Sequence, residues 1–178
     1  MFGPVKNMLR RRRIRKSASD VPTGFIPLAE KSSVNVVIDA EEPDFDKLKG
    51  DILAWGKKKG LEVGIYVFDF RKQGKDGVPH ENDGTTILRK DLDWLGMPQN
   101  GKVSGLLEEK SDVFISLIGN SCPTIDFLSK CAKARFKIGR HGYKGHAFDM
   151  VMTQGDTQEQ AGPREIFSAI TEFIDKIR

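Results

Sequence analysis

No stretch of this chain approaches the roughly 20 consecutive apolar residues that span a bilayer, so no transmembrane helix is expected. Cysteine is scarce, with only Cys122 and Cys131, and there are three histidines. That excludes a disulfide-stapled secreted scaffold. His141 and His146 lie five apart with no cysteine beside them, so no zinc site is expected either. On one helix, at about 100° per residue, the two cysteines face opposite sides and cannot pair. Free thiols fit a reducing cytoplasm, which is the expected location. No apolar h-region follows the basic N-terminus, where Ser17-Ala18-Ser19-Asp20 stands instead, so a secretory signal is not expected. Gly3-Pro4 weakens the helix that a transit peptide needs.

The most informative absence is acid. The first sixteen residues hold no Asp or Glu but seven cations: Lys6, Arg10, Arg11, Arg12, Arg13, Arg15 and Lys16. Taking those seven from 29 Lys and Arg leaves 22 against 25 Asp and Glu, so the chain from Ser17 onward carries −3. A cationic arm precedes a mildly acidic body. Such asymmetry marks a segment that docks on something anionic. No aromatic residue is interleaved among those cations, which argues against stacking-based reading of single strands.

The body has 38% hydrophobic and 30% charged residues, as a globular fold does. Residues 1–20 read as the arm, 21–32 as a lead-in, and 33–178 as one α/β domain. Val34 to Asp39 is apolar and β-branched with little alternation, the mark of a strand buried on both faces. A helix opened by Pro43 follows, with Phe45, Leu48, Ile52 and Trp55 on one stripe and Gly60 as its stop. Leu61 to Phe70 is the next strand. Residues 71–102 hold seven Gly and Pro residues and read as a long irregular excursion, with Thr85 to Leu88 a short strand inside it. Val103 to Lys110 is a short helix and Asp112 to Ile118 a strand. A helix then runs to about Ala134, followed by a short strand Phe136 to Ile138 and a Gly-rich loop to His146. Ala147 to Thr153 alternates as a fifth strand, and Pro163 opens a final amphipathic helix. Strand–helix alternation predicts a three-layer α/β fold, Rossmann-like or flavodoxin-like. Its sheet is mainly parallel, with about five strands and helices on both faces.

Ligands of such sheets sit outside the carboxyl ends of the strands. That edge carries Asp39, Asp69, Asn120, Ser121, Cys122, Thr124, Arg140 and His141 as candidate ligand-binding residues. Asp39 and Asp69 end neighbouring strands and suit acid/base work or a cation, although a strand-terminal Asp more often caps the next turn. Gly119-Asn-Ser-Cys-Pro-Thr124 leads a strand into a helix. It is read first as a capping turn, with Ser121 as cap and Pro123 opening the helix. The competing reading is an anion site whose helix dipole lowers the pKa of Cys122. Neither the Lys-Ser/Thr ending of a P-loop nor a dinucleotide glycine fingerprint is present, so no cofactor is expected.

Three places carry a family resemblance: Val34-Asn-Val-Val-Ile-Asp39; Lys90-Asp-Leu-Asp-Trp-Leu-Gly96; and Asp112-Val-Phe-Ile-Ser116 followed by Leu128-Ser-Lys-Cys-Ala-Lys-Ala-Arg-Phe-Lys-Ile-Gly139. The last is the most specific. In these the chain resembles an uncharacterised bacterial family, a domain of unknown function with a basic N-terminal lead-in. The resemblance implies a bacterial cytoplasmic protein and no particular activity. The leading expectation is a non-catalytic docking protein whose seven N-terminal cations bind RNA or the ribosome first, and the inner membrane face second. Phe2, Val5 and Leu9 would add a small apolar face. The alternative is an enzyme or sensor that takes a phosphorylated or nucleotide ligand at the strand ends.

Overall fold

The computed structural model describes residues 3–25, 27–71, 84–142, 147–153 and 161–177, apart from the side chain of Asn100. Its frame is β1 (Ser33–Asp39), paired in parallel with β2 (Glu62–Asp69) on one side and β4 (Ser111–Ser116) on the other. β3 (Thr86–Leu88) extends the β2 side, while β5 (Ala134–Gly139) and β6 (Met150–Val151) extend the β4 side. The sheet has six strands, all parallel, in the order β3-β2-β1-β4-β5-β6.

β1 is buried on both faces, as its unalternating sequence predicts. Val34, Val36 and Ile38 join Val113, Ile115 and Leu117 on one face, covered by α2 (Phe45–Lys59) and α5 (Pro163–Lys176) through Leu48, Ile52, Ile166 and Ile170. Val37, Phe114 and Ile118 face the other way, against α3 (Asn100–Leu107) and α4 (Pro123–Cys131) through Val103, Leu106, Ile125 and Leu128. Two apolar faces on one sheet require two helical layers, which gives the three-layer α/β architecture.

The strand count is six rather than about five, because Thr86–Leu88 pairs fully with β2. β6 is shorter than the alternating run 147–153. Phe148, instead of alternating along the ladder, lies flat against Phe114 (6.5 Å, 10°) and over Gly139, so only Met150 and Val151 pair with β5. α4 ends at Cys131, and the chain turns at Ala132–Lys133 into β5. Within the excursion, residues 72–83 lie outside the described residues. From Thr85 onward it is built structure with a buried interior, including Leu95 and Met97.

The basic arm is a helix, α1 (Gly3–Ser17). Pro4 sits in its first turn, where a missing N–H costs nothing, so Gly3-Pro4 starts the helix rather than breaking it. Leu9 and Ile14 pack onto the α3/α4 layer. The seat is the 90–97 segment. The Asp93 Oδ1 atom accepts the backbone N–H groups of Leu95 (2.9 Å) and Met97 (3.0 Å), and its Oδ2 takes the Arg13 guanidinium. Arg10 Nε donates to the Leu95 carbonyl (2.6 Å), and the Lys6 ammonium lies 5.7 Å from the Trp94 ring centre. The Cys131 thiol donates to the Ile14 carbonyl (3.9 Å) from beneath. The lead-in is pinned too. Ser19 N–H reaches the Lys130 carbonyl (3.1 Å) and Gly24 N–H the Arg135 carbonyl (2.8 Å). Phe25 then packs edge-on to Phe136 and Phe173 in the opposite layer.

Asp93→Ala should therefore cost about 2–3 kcal/mol in urea unfolding, since two N–H groups lose their acceptor. Arg13→Gln should cost under about 1 kcal/mol, as a half-exposed ion pair does. Equal losses would refute the turn-building role of Asp93.

Candidate functional site

With this strand order, consecutive connections leave β1 and β4 in opposite directions, and the crevice that ligands of such folds use opens above those two strands. Its lip after β1 is acidic: Asp39, Glu41, Glu42 and Asp44 precede α2. Asp39 Oδ1 accepts the N–H of Glu41 (2.8 Å). Burial raises its carboxyl above the ordinary range; the Glu41 N–H opposes that, and Glu41, Glu42 and Asp69 add to it. From the end of β5, Arg140 crosses the crevice. Its Nη1 donates to Glu42 Oε1 (2.7 Å) and the Leu117 carbonyl (3.2 Å), and its Nη2 to the Ala161 carbonyl (2.8 Å). The guanidinium lies so close over Gly119 that a Cβ there would stand 3.0 Å from Cζ. The side chain is 10% exposed, so the crevice is filled by the protein's own cation. A dinucleotide pyrophosphate would meet no glycine turn here and an acidic lip.

The strand-end candidates therefore do not form one cluster. Asp69, 3% exposed, is held by its neighbour Arg71 in a two-point pair, Nε to Oδ1 and Nη2 to Oδ2, both 2.8 Å. That pair keeps the Arg71 guanidinium above its ordinary pKa. Thr124 is buried and donates to the Gly96 carbonyl (2.8 Å), and Gly96 has the positive φ (76°) that glycine adopts without strain. Asn120 stands exposed at the loop tip. Among the described residues no three His, Cys, Asp or Glu side chains gather as a metal set.

Ser121, Cys122 and His141 do come together, and α1 meets them. Between α1 and the start of α4 runs an open groove of about 770 Å³. Arg10, Arg11, Ile14 and Arg15 line it from α1. Ser121, Cys122, Pro123, Asp126, Lys130 and His141 line it from the body. Pro123 opens the helix as expected, but the residue in the cap position is Cys122, not Ser121. The dipole does not prevail at its thiol. Burial pushes Cys122 above the ordinary range, against the N–H groups of Ile125 and Thr124 and the Thr124 hydroxyl. Cys131 is more deeply set, and burial pushes its thiol to about 11. Both thiols are free.

The seven arm cations divide. Lys6, Arg10 and Arg13 are half-buried and engaged with Trp94, Leu95 and Asp93. Arg11, Arg12, Arg15 and Lys16 are exposed. Leu9 belongs to the core rather than to an outer apolar face, and Phe2 lies outside the described residues, as do Tyr143, Lys144 and His146.

Asp93, Trp94 and Lys137 have roles that their local sequence barely announces. Asp93 and Trp94 hold α1, and the density of turn-forming residues around them gives no sign of a distant partner. Lys137, 6% exposed, points its ammonium at the Ser129 carbonyl (2.8 Å) in the last turn of α4. There it satisfies an orphan carbonyl and the negative end of the dipole. Burial lowers its pKa. Its position between Phe136 and Ile138 was the available signal.

A family model described as a family of unknown function, DUF6913, matches residues 6–169, and the chain belongs to that family. The match runs from inside α1 through the body, so it does not set the arm apart. No curated protein and no solved structure matches the chain.

Two outcomes follow. Arg140→Met should cost about 2–4 kcal/mol, because it strands the Glu42 carboxylate and two carbonyls; a neutral result in thermal and urea unfolding would contradict a filled crevice. In the native protein iodoacetamide should label Cys122 and spare Cys131, whose thiolate is about one part in a thousand at pH 8. Comparable rates by mass spectrometry would be inconsistent with the burial described.

Proposed function

We propose that this protein is a docking protein that lays the outer face of α1 on an anionic bilayer surface. The observation that carries the reading is the division of the seven cations. The helix uses three to attach itself to the body and leaves Arg11, Arg12, Arg15 and Lys16 exposed without a protein partner among the described residues. Charge alone does not separate lipid from RNA. The apolar residues on the same helix favour lipid: Val5 and Met8 are 50% and 62% exposed on the outward face. Trp94, 62% exposed at the helix flank, adds an amphipathic ring of the kind found at membrane interfaces. Four cations near an anionic leaflet contribute about 1 kcal/mol each, which gives a reversible rather than a permanent attachment. No helix among the described residues is long and apolar enough to cross a membrane.

Catalysis at the strand ends has less support. Arg140 occupies the crevice, and Asp39, Asp69 and Thr124 are used in local turns.

Co-sedimentation tests this. The protein should bind vesicles containing phosphatidylserine, not neutral vesicles, and release them as salt rises. Arg12→Gln with Lys16→Gln should weaken binding about 30-fold, the equivalent of about 2 kcal/mol. Met8→Ser should weaken vesicle binding and leave any RNA binding unchanged. Binding to RNA or ribosomes without binding to vesicles would replace the lipid reading with a nucleic-acid one. Partitioning indifferent to salt and to both variants would defeat docking by α1 altogether.

A further inference from the structure

We propose that the groove between α1 and the start of α4 is a binding site for a soluble phosphorylated small molecule. Its phosphate would be held by Arg11 and Arg15, with Lys130 neutralising Asp126 on the facing wall, and its organic part laid on Ile14, Cys122 and Pro123. The proposal does not rest on the docking reading: Arg12 and Lys16 face outward and line no part of this groove.

Three observations carry it. The first is uncompensated charge along an open groove. Arg11 and Arg15 have no acceptor among the described residues, and Arg10 stands beside them with its guanidinium fixed by Leu95 and Asn7. Asp126, the one carboxylate on the walls, is already matched by Lys130 (2.6 Å). Guanidinium forks fit phosphate oxygens in two-point contacts, and a dianion would balance two such groups. The second is size and surface. A volume of about 770 Å³ suits a small organic ligand, and the lining is mixed: cations at the rim with Ile14, Cys122 and Pro123 as the apolar floor. The third is rigidity. Asp93 and the Leu95 carbonyl hold the α1 wall, and the Thr124–Gly96 hydrogen bond ties the α4 wall to the same turn. The two walls that carry the cations are therefore fixed in advance, and only the Arg11 and Arg15 side chains remain to be ordered by a ligand. His141, half-buried, lines the same groove.

Cys122 on the floor supplies a local readout. The alkylation rate of Cys122 by iodoacetamide is measured by mass spectrometry, with sodium pyrophosphate, AMP or ADP at millimolar concentration and with sodium chloride at matched ionic strength. At least one of the three phosphates should slow Cys122 labelling roughly fivefold or more, as occupancy at several multiples of Kd does, while chloride should not. Arg15→Gln with Lys130→Gln should abolish the protection, and Arg12→Gln with Lys16→Gln should retain it. Thermal unfolding is measured for each variant, and Lys130→Gln alone replaces the double variant if that one does not fold. Dihexanoyl phosphatidic acid is the lipid-borne arm. Protection by that lipid and by none of the soluble probes would overturn the proposal, as would no protection at all, equal protection by chloride, or protection that survives loss of Arg15 and Lys130.

Discussion

The carboxylate of Asp93 holds two levels of structure together. With one oxygen it gathers the N–H groups of Leu95 and Met97 and so shapes a turn; with the other it takes Arg13 of α1. The turn in turn offers the Leu95 carbonyl to Arg10 and the Gly96 carbonyl to Thr124 of α4. α1 has no buried residue of its own and no continuous apolar face. Its hydrophobic contribution, from Leu9 and Ile14, is too small to seat fifteen residues against the body. What seats it is a set of charge-assisted contacts to acceptors that already have a structural job. Arginine suits this, because its stem covers apolar surface while its head reaches a carbonyl, a carboxylate or a ring. Arg13 reaches two of these, the Asp93 carboxylate and the Phe127 ring, whose centre lies 5.6 Å from its guanidinium carbon, and Arg10 reaches the Leu95 carbonyl.

The strand order opens a crevice above β1 and β4, and this chain closes it. Arg140 does so at the expense of an acidic neighbour, Glu42, and two backbone carbonyls, with Gly119 giving room for the guanidinium. The acidic lip and the internal cation are complementary to each other, which leaves little field for an external anion there. The open cationic space lies further along the same β4–α4 loop, where α1 faces the Ser121–Pro123 turn. Open space along this sheet edge thus lies in a groove whose second wall is the N-terminal helix, while Arg140 fills the crevice.

Much of this was legible in the sequence where a local pattern decides the outcome. β1, β4, α2 and α5 each bury long apolar sets against a neighbour, and their unalternating or 3.6-residue patterns say so. The division of charge at Ser17 was plain as well. What could not be read were contacts separated by some eighty residues, since nothing local to Arg13 or Asp93 encodes the other. An isolated view of the arm therefore makes it a tether, whereas the body makes it a helix with an inner and an outer face. Two local patterns also misled for physical reasons. The alternation of 147–153 predicts a full strand, but an edge strand lives by its one neighbour, and Phe148 gains more by stacking on Phe114 than by continuing the ladder. Ser121 has the better side chain for a cap, but Pro123 at the helix start makes Cys122 the residue before it.

Placing α1 on the body also sets a relation between its two proposed uses. Arg12 and Lys16 are exposed and line no part of the groove, Lys130 and His141 line it from the body, and Arg11 and Arg15 both line the groove and stand exposed. A guanidinium engaged by a phosphate inside the groove has fewer free donors for a surface outside it. Binding at the two places then draws on shared charge, and linkage requires the effect to be mutual: whatever the groove ligand takes from docking, docking takes from the groove ligand. Screening limits the size of this coupling, because both arginines remain exposed to solvent and salt. The sign is nonetheless fixed by geometry. Two anions cannot both be fully satisfied by one pair of side chains, so under the two proposals occupancy of the groove would loosen an α1-mediated attachment rather than strengthen it.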